Sequence, residues 1–176
     1  MERPAANVLV EEARPDDARD LLTLHYEVLG ESRWFITEPQ EFSPSLEQRV
    51  RQVRDFARSP NSLYLVARSG GRLLGYLTLQ GGALRRMRHT AKLEILVSGR
   101  ARGTGIGSSL LARGVQWATA NPQLVKIGLN VFADNRRALA LYRKFGFEEE
   151  GRRPREYRMA DGTFRDDVLM YRFVED

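Results

Sequence analysis

Cysteine is absent from the 176 residues. That excludes disulfides, thiolate metal sites and a cysteine nucleophile. Histidine is scarce: His25 and His89 are the two. Two imidazoles without acidic partners at ligand spacing do not build a metal site, so no metal is expected. No apolar run approaches the ~20 residues of a membrane span. Met1 to Asn7 lacks the apolar core of an export signal. The expectation is a cytoplasmic protein with no membrane partner. No repeat, low-complexity segment or linker divides the chain, which reads as one domain over 1–176, with 1–7 as a flexible N-terminus.

Hydrophobic residues make up 42% of the chain, enough for one core, and the net charge is +5. The arginines are scattered. Their densest group, Arg152, Arg153, Arg155 and Arg158, is interleaved with Glu148 to Glu150 and Glu156. That is the pattern of a solvated surface, and no nucleic-acid partner is expected. A basic field would also draw a polyanionic cofactor.

One stretch organises the rest: Arg102-Gly103-Thr104-Gly105-Ile106-Gly107. It follows the apolar run Leu93 to Val97, which reads as a buried strand. It precedes Ser108-Ser109-Leu110-Leu111, which opens an amphipathic helix. Strand, glycine turn and helix N-terminus together bind phosphate, because the first helical amides lack partners and the helix dipole is positive there. Glycines at alternate positions let an anion approach the backbone without meeting a β-carbon. Arg102 adds a charge at the rim. A dinucleotide fingerprint would need a further glycine where Ser108 stands, and an acid about 20 residues on. No Asp or Glu occurs from Ile95 to Ala133. A triphosphate loop would need a lysine after Gly107. What remains is the diphosphate of another carrier.

Arg102, Gly105 and Gly107 form an Arg-x-x-Gly-x-Gly pattern that resembles the coenzyme A signature of the GNAT acetyltransferases. Downstream, Asn135, Ala138, Tyr142, Lys144, Gly146 and Phe147 match a second family motif, one helix and one strand later. The resemblance covers about Leu73 to the C-terminus well and the first half loosely. It implies a mixed α/β fold: a central, mostly antiparallel sheet of six to seven strands with helices on both faces. It also implies acetyl-coenzyme A as co-substrate. The tail from Tyr157 to Met170 looks like the ending of bacterial amino-acid and ribosomal-protein N-acetyltransferases.

The local signals agree with that layout. Val8 to Ala13 reads as a strand, and Pro15-Asp16-Asp17 starts a helix with acids in its first turn. His25 falls on that helix's apolar face and reads as a packed or partly exposed histidine rather than a catalytic one. Ser43-Pro44 is expected to cap a second helix, with Leu46, Val50, Val53 and Ala57 as its apolar stripe. Leu63 to Arg68 and Arg72 to Leu79 read as a hairpin about Ser69-Gly70-Gly71, with Gly75 marking a bulge or close approach. His89 to Val97, Leu124 to Phe132, Phe147 to Arg158 and Asp167 to Phe173 read as further strands. Helices are expected over 105–120 and after the Asp134-Asn135 cap.

Acetyl transfer from a thioester to an amine requires a held donor, a neutral amine, a polarised carbonyl and a protonated leaving sulfur. The turn from Arg102 to Ser108, including Gly103, Thr104 and Ile106, is the expected diphosphate site. The strand end at Leu96, Val97 and Ser98 is expected to pair with the carrier's amide arm as an added strand does. The Val97 N–H could polarise the carbonyl. The resemblance places Asn135 and Ala138 against the carrier and makes Tyr142 the general acid. Glu94 points opposite to Leu93 and Ile95 by strand alternation. It is a candidate general base acting through water, or else an ion-pair partner of Lys92. Many relatives carry a small residue here and an acid two residues earlier, where this chain has Lys92. The base therefore stays open. Trp34, Phe35 and Glu38, in the irregular segment from Glu31 to Phe42, are expected to border the acceptor. The expected acceptor is an amine of a small molecule, amino acid or peptide N-terminus. A coenzyme A-binding module without catalysis is the alternative, and a homodimer through the final strands is a further expectation.

Overall fold

A computed structural model of the chain describes residues 8–31 and 33–175. The segment 1–7, expected to be a flexible N-terminus, lies outside the described residues. Strand β1 (Leu9–Glu12) leads through a short 3₁₀ turn at Pro15–Asp17 into helix α1 (Ala18–Leu29), which stops at Gly30. Helix α2 (Leu46–Arg58) follows the irregular segment, then the hairpin β2 (Leu63–Ser69) and β3 (Arg72–Gly81). Strand β4 (Thr90–Val97) feeds the glycine turn and helix α3 (Ile106–Ala120). Strand β5 (Lys126–Phe132), helix α4 (Arg136–Lys144) and the hairpin β6 (Glu148–Arg158) and β7 (Phe164–Phe173) complete the chain.

The seven strands form one sheet in the order β1-β2-β3-β4-β5-β7-β6. Every neighbouring pair is antiparallel except β4–β5, which is parallel. The β2–β3 and β6–β7 hairpins use short local turns, while β1 reaches β2 through α1 and α2. The β4-to-β5 crossover requires a helix, and α3 supplies it. Two apolar clusters cover the two faces. Leu110, Leu111, Val115 and Ala118 of α3 and Leu139 and Tyr142 of α4 pack with Leu77, Leu93 and Ile127 on one face. Leu21, Leu24 and Val28 of α1 and Val53 and Phe56 of α2 pack with Val66, Tyr76 and Leu96 on the other. The mixed α/β architecture expected from the sequence is the one observed. Among the described residues, no helix is long and apolar enough to cross a membrane.

Gly75 does both things expected of it. The β2–β3 register shifts beside its partner Ala67. A β-carbon on Gly75 would lie 2.9 Å from the Leu96 carbonyl oxygen and 3.1 Å from Leu110 Cδ1.

Helix α2 departs from expectation in two ways. Ser45, not Ser43, is its N-cap: Ser45 Oγ accepts from the Gln48 N–H at 3.2 Å, and Gln48 Oε1 accepts from the Ser45 N–H at 2.7 Å. This reciprocal box outcompetes the proline signal at Pro44, because it satisfies amides at the helix start that a proline only avoids having. The buried residues are Arg49, Val53 and Phe56, while Leu46 stays 40% exposed. The helix is rotated so that a charged residue faces inward, in place of the stripe Leu46, Val50, Val53 and Ala57.

Candidate active site

Strands β4 and β5 pair only at Thr90–Lys126, Ala91–Ile127 and Lys92–Gly128. Beyond that point each continues with its other neighbour, β4 with β3 and β5 with β7. A gap therefore opens between two central strands. Antiparallel ladders send the backbone groups of alternate residues to opposite sides. The Ser98 N–H donates to the Leu74 carbonyl at 2.8 Å, which turns the even-numbered residues of β4 toward β3. The amides and carbonyls of Leu93, Ile95 and Val97 consequently face the gap. Of the expected pairing stretch, Val97 presents its backbone there. Leu96 and Ser98 do not, since both face β3. The Ser98 hydroxyl is also occupied, donating to Glu27 Oε1 at 2.7 Å.

The glycine turn closes one end of the gap. Gly103 and Gly105 have φ of 85° and 91°, the left-handed region that a side chain resists. Helix α3 begins at Ile106, and its first bond to the turn runs from the Ser109 N–H to the Gly105 carbonyl at 2.9 Å. The amides of Ile106, Gly107 and Ser108 lie before that bond and have no acceptor within the helix. Gly107 lets α4 approach: a β-carbon there would sit 3.3 Å from Leu141 Cδ2. Ile106 itself is buried in the core, so its contribution to the turn is its amide. The Thr104 hydroxyl donates to the Ala101 carbonyl at 2.7 Å and holds the turn from within. Arg102 is not a free charge at the rim. Its Nη1 lies 2.5 Å from Glu31 Oε2, and its Nε donates to the Val97 carbonyl at 3.2 Å. Arg137, which the sequence reading missed, stands on the same side of the cleft.

A cleft of about 670 Å³ runs from this turn through the gap to the aromatic segment near Trp34. Tyr142 reaches it from α4 and is 6% exposed. Burial pushes its phenol well above the ordinary value near 10, and the Glu94 carboxylate pushes it further. The tyrosine is thus a neutral donor at every working pH. Among the described residues its hydroxyl has no hydrogen-bond partner. Asn135 lines the cleft, but its Oδ1 accepts from the Ala138 N–H at 3.2 Å, so its side chain caps α4.

Among the described residues, two carboxylates face the cleft. Asp167 on β7 was not anticipated. It is 1% exposed, accepts from Asn130 Nδ2 at 2.6 Å and lies 3.7 Å from Arg153 Nη1. Glu94 is exposed. Among the described residues it makes no ion pair, with Lys92 or otherwise. A fully engaged carboxylate and a free one have different uses. Glu94 is the one left without a fixed partner among the described residues.

Beyond Glu94 the cleft meets a second hollow of about 450 Å³, and the two share His25, Phe42, Tyr76 and Glu94. His25 stacks on Phe42 with ring centroids 4.0 Å apart, and its Nδ1 lies 3.0 Å from the Tyr76 hydroxyl. Burial, followed by the Arg49 charge, lowers its pKa from 6.5 to about 4, so it is neutral near pH 7. The sequence marked His25 as packed or partly exposed. That it also forms cleft wall depends on Phe42, Tyr76 and Arg49, which come from three other segments. Trp34 and Phe35 line the main cleft. Glu38 does not: its backbone N–H donates to Glu41 Oε2 at 2.8 Å in a small 3₁₀ turn outside the cleft.

Residues 29–147 match the model of the acetyltransferase (GNAT) family. The chain is 32% identical over 116 residues to the L-amino acid N-acetyltransferase AaaT of Escherichia coli K12, covering 66% of this chain and 71% of that one. It is 37% identical over 107 residues to the N-alpha-acetyltransferase RimI of Mycobacterium tuberculosis, covering 58% of this chain and 62% of that one. The crystal structure of an acetyltransferase of GNAT family from Streptococcus pneumoniae superposes with a TM-score of 0.91 at 29% identity, over 95% of this chain and 99% of that one.

Proposed function

The chain belongs to the acetyltransferase (GNAT) family, and from that premise we propose that it moves an acetyl group from acetyl-coenzyme A to a primary amine by direct attack. The acceptor is a small molecule, an amino acid or a peptide N-terminus, in keeping with the names of the two curated relatives. The single observation that carries the reading is the gap between β4 and β5. It has unpaired strand amides along one wall, left-handed glycines and free helix amides at one end, and Tyr142 and Glu94 facing its middle.

These features fit an extended amide arm with a diphosphate at its end. The amides from Ile106 to Ser108 take the diphosphate. The gap-facing backbone of β4 pairs with the arm. Bound acetyl-coenzyme A supplies an activated acyl carbon and a thiolate leaving group. The Val97 N–H is placed to donate to the carbonyl oxygen as charge grows on it. Glu94 takes a proton from the acceptor ammonium through water. The freed nitrogen forms the new C–N bond while the C–S bond breaks. Tyr142 gives its proton to the departing sulfur, and the proton released by the amine restores the balance.

The test is thiol release from acetyl-coenzyme A over a panel of amino acids, their amides, polyamines and short peptides, paired with calorimetry of coenzyme A binding. Turnover with at least one amine is the expected result. Heat of binding without thiol release on any acceptor would establish the non-catalytic module instead.

A further inference from the structure

We infer that the hollow beyond Glu94 is an acceptor subsite for a carboxylate, held by Arg49, so that the acceptor is a free α-amino acid. The inference rests on the acetyl-transfer reading of the adjoining cleft. It names the substrate class of that site.

Arg49 lies on the inner face of α2 and is 6% exposed. A buried guanidinium normally sits against a carboxylate, because removing its charge from water is costly without a counterion. Arg49 has none among the described residues. Its Nη1 donates to Gln52 Oε1 at 2.9 Å and to the Tyr64 hydroxyl at 3.2 Å, and its Nη2 faces His25 Nδ1 at 3.5 Å. All three partners are uncharged, His25 being neutral near pH 7. Its Nε is buried and, among the described residues, has no hydrogen-bond partner. The guanidinium is thus short of both a countercharge and a full set of acceptors. Its side chain lines an open hollow of about 450 Å³. A ligand carboxylate entering there would supply the missing countercharge.

The rest of the hollow fits the same ligand. Among the described residues, Glu94 is the other charged group on its wall, and it also lines the transfer cleft. One fixed cation and one fixed anion on a shared wall complement a zwitterion. The carboxylate would go to Arg49, and the ammonium to Glu94, the group that must deprotonate it. A polyamine offers nothing to Arg49 and would place a second cation beside it. A peptide N-terminus carries a neutral amide where the free amino acid carries its carboxylate.

Matched acceptors decide the matter. Each protein amino acid is assayed beside its α-carboxamide and its decarboxylated amine, with thiol release as readout. For the preferred side chain, the acid should exceed both neutral partners in kcat/KM by about 100-fold or more, the discrimination that a site built for a polar group can reach. The carboxamide has the less basic amine, so amine availability alone would favour it. In Arg49→Gln the preference for the acid over the carboxamide should collapse, chiefly through a raised KM for the acid. Arg49→Lys should restore part of it. Calorimetry with coenzyme A shows whether the Gln variant keeps the donor site. If it does not fold, the acid-to-amide ratio of the unaltered protein still decides. Equal turnover of acids and carboxamides would overturn the inference and leave acetyl transfer standing, as would faster turnover of peptides or polyamines. Absence of thiol release with every acceptor would overturn both.

Discussion

Two side chains concentrate the chemistry at the scale of single residues. Tyr142 is nearly buried and neutral, and its hydroxyl faces the same cleft as Glu94. Tyr142→Phe removes the hydroxyl proposed as proton donor and little volume. It should lower kcat by about 10²–10⁴-fold, the usual contribution of a general acid. Coenzyme A binding, followed by calorimetry, should change little. His25 makes a prediction about stability. Its pKa is about 4 in the folded chain against 6.5 as its ordinary value, so between those pH values the unfolded chain binds the proton first. Its contribution is complete above pH 6.5 and is lost as pH falls toward 4. Urea midpoints of the protein and its His25→Asn variant should keep a constant offset above pH 7. Acidification below that should destabilise the unaltered protein relative to the variant.

Elements show why equal-looking glycines differ. Gly75 lies in β3 under α3, where an added β-carbon meets the backbone oxygen of Leu96. Neither strand can yield without breaking its ladder. Gly75→Ala should therefore cost about 1–3 kcal/mol, as overpacking does, visible as a lowered urea midpoint. Gly105 has open space around a β-carbon but a φ of 91°. Gly105→Ala should cost about 1–2 kcal/mol of local strain. Because the strain falls on the turn, it should also weaken coenzyme A binding, which the Gly75 variant tests as a control. The sequence pattern marked both glycines, and the reason they are needed differs because one is limited by neighbours and the other by its own torsion. Helix α2 shows where such reading stops. Residues Leu46, Val50, Val53 and Ala57 have helical spacing, and so do Arg49, Val53 and Phe56. Periodicity cannot choose between faces that differ by a small rotation. Packing against Tyr64 and Val66 chooses.

The whole molecule is one sheet with apolar cover on both faces, and its weak seam is the three-residue β4–β5 pairing. Two layers sharing a sheet should unfold together, so one thermal transition is expected. A ligand lying in the seam stabilises the folded state by mass action. At a coenzyme A concentration 100-fold above Kd the gain is about 2.7 kcal/mol. For a chain of this size that corresponds to a rise in Tm of roughly 5–10 °C, readable by calorimetric scanning. A single transition that does not move with coenzyme A would contradict binding at the seam.

Local chemistry was enough to determine the glycine turn, most of the strands and helices, the cap at Asn135, and the side of β4 from which Glu94 projects. Each depends on torsions, hydrogen bonds or alternation within a few residues of chain. Only the tertiary structure decided that Arg49 faces inward, that Ser98 and Glu38 turn away, and that Asp167 is engaged while Glu94 is free. Those outcomes depend on which of several locally acceptable arrangements buries the most apolar surface between segments distant in sequence. No window of sequence contains that comparison.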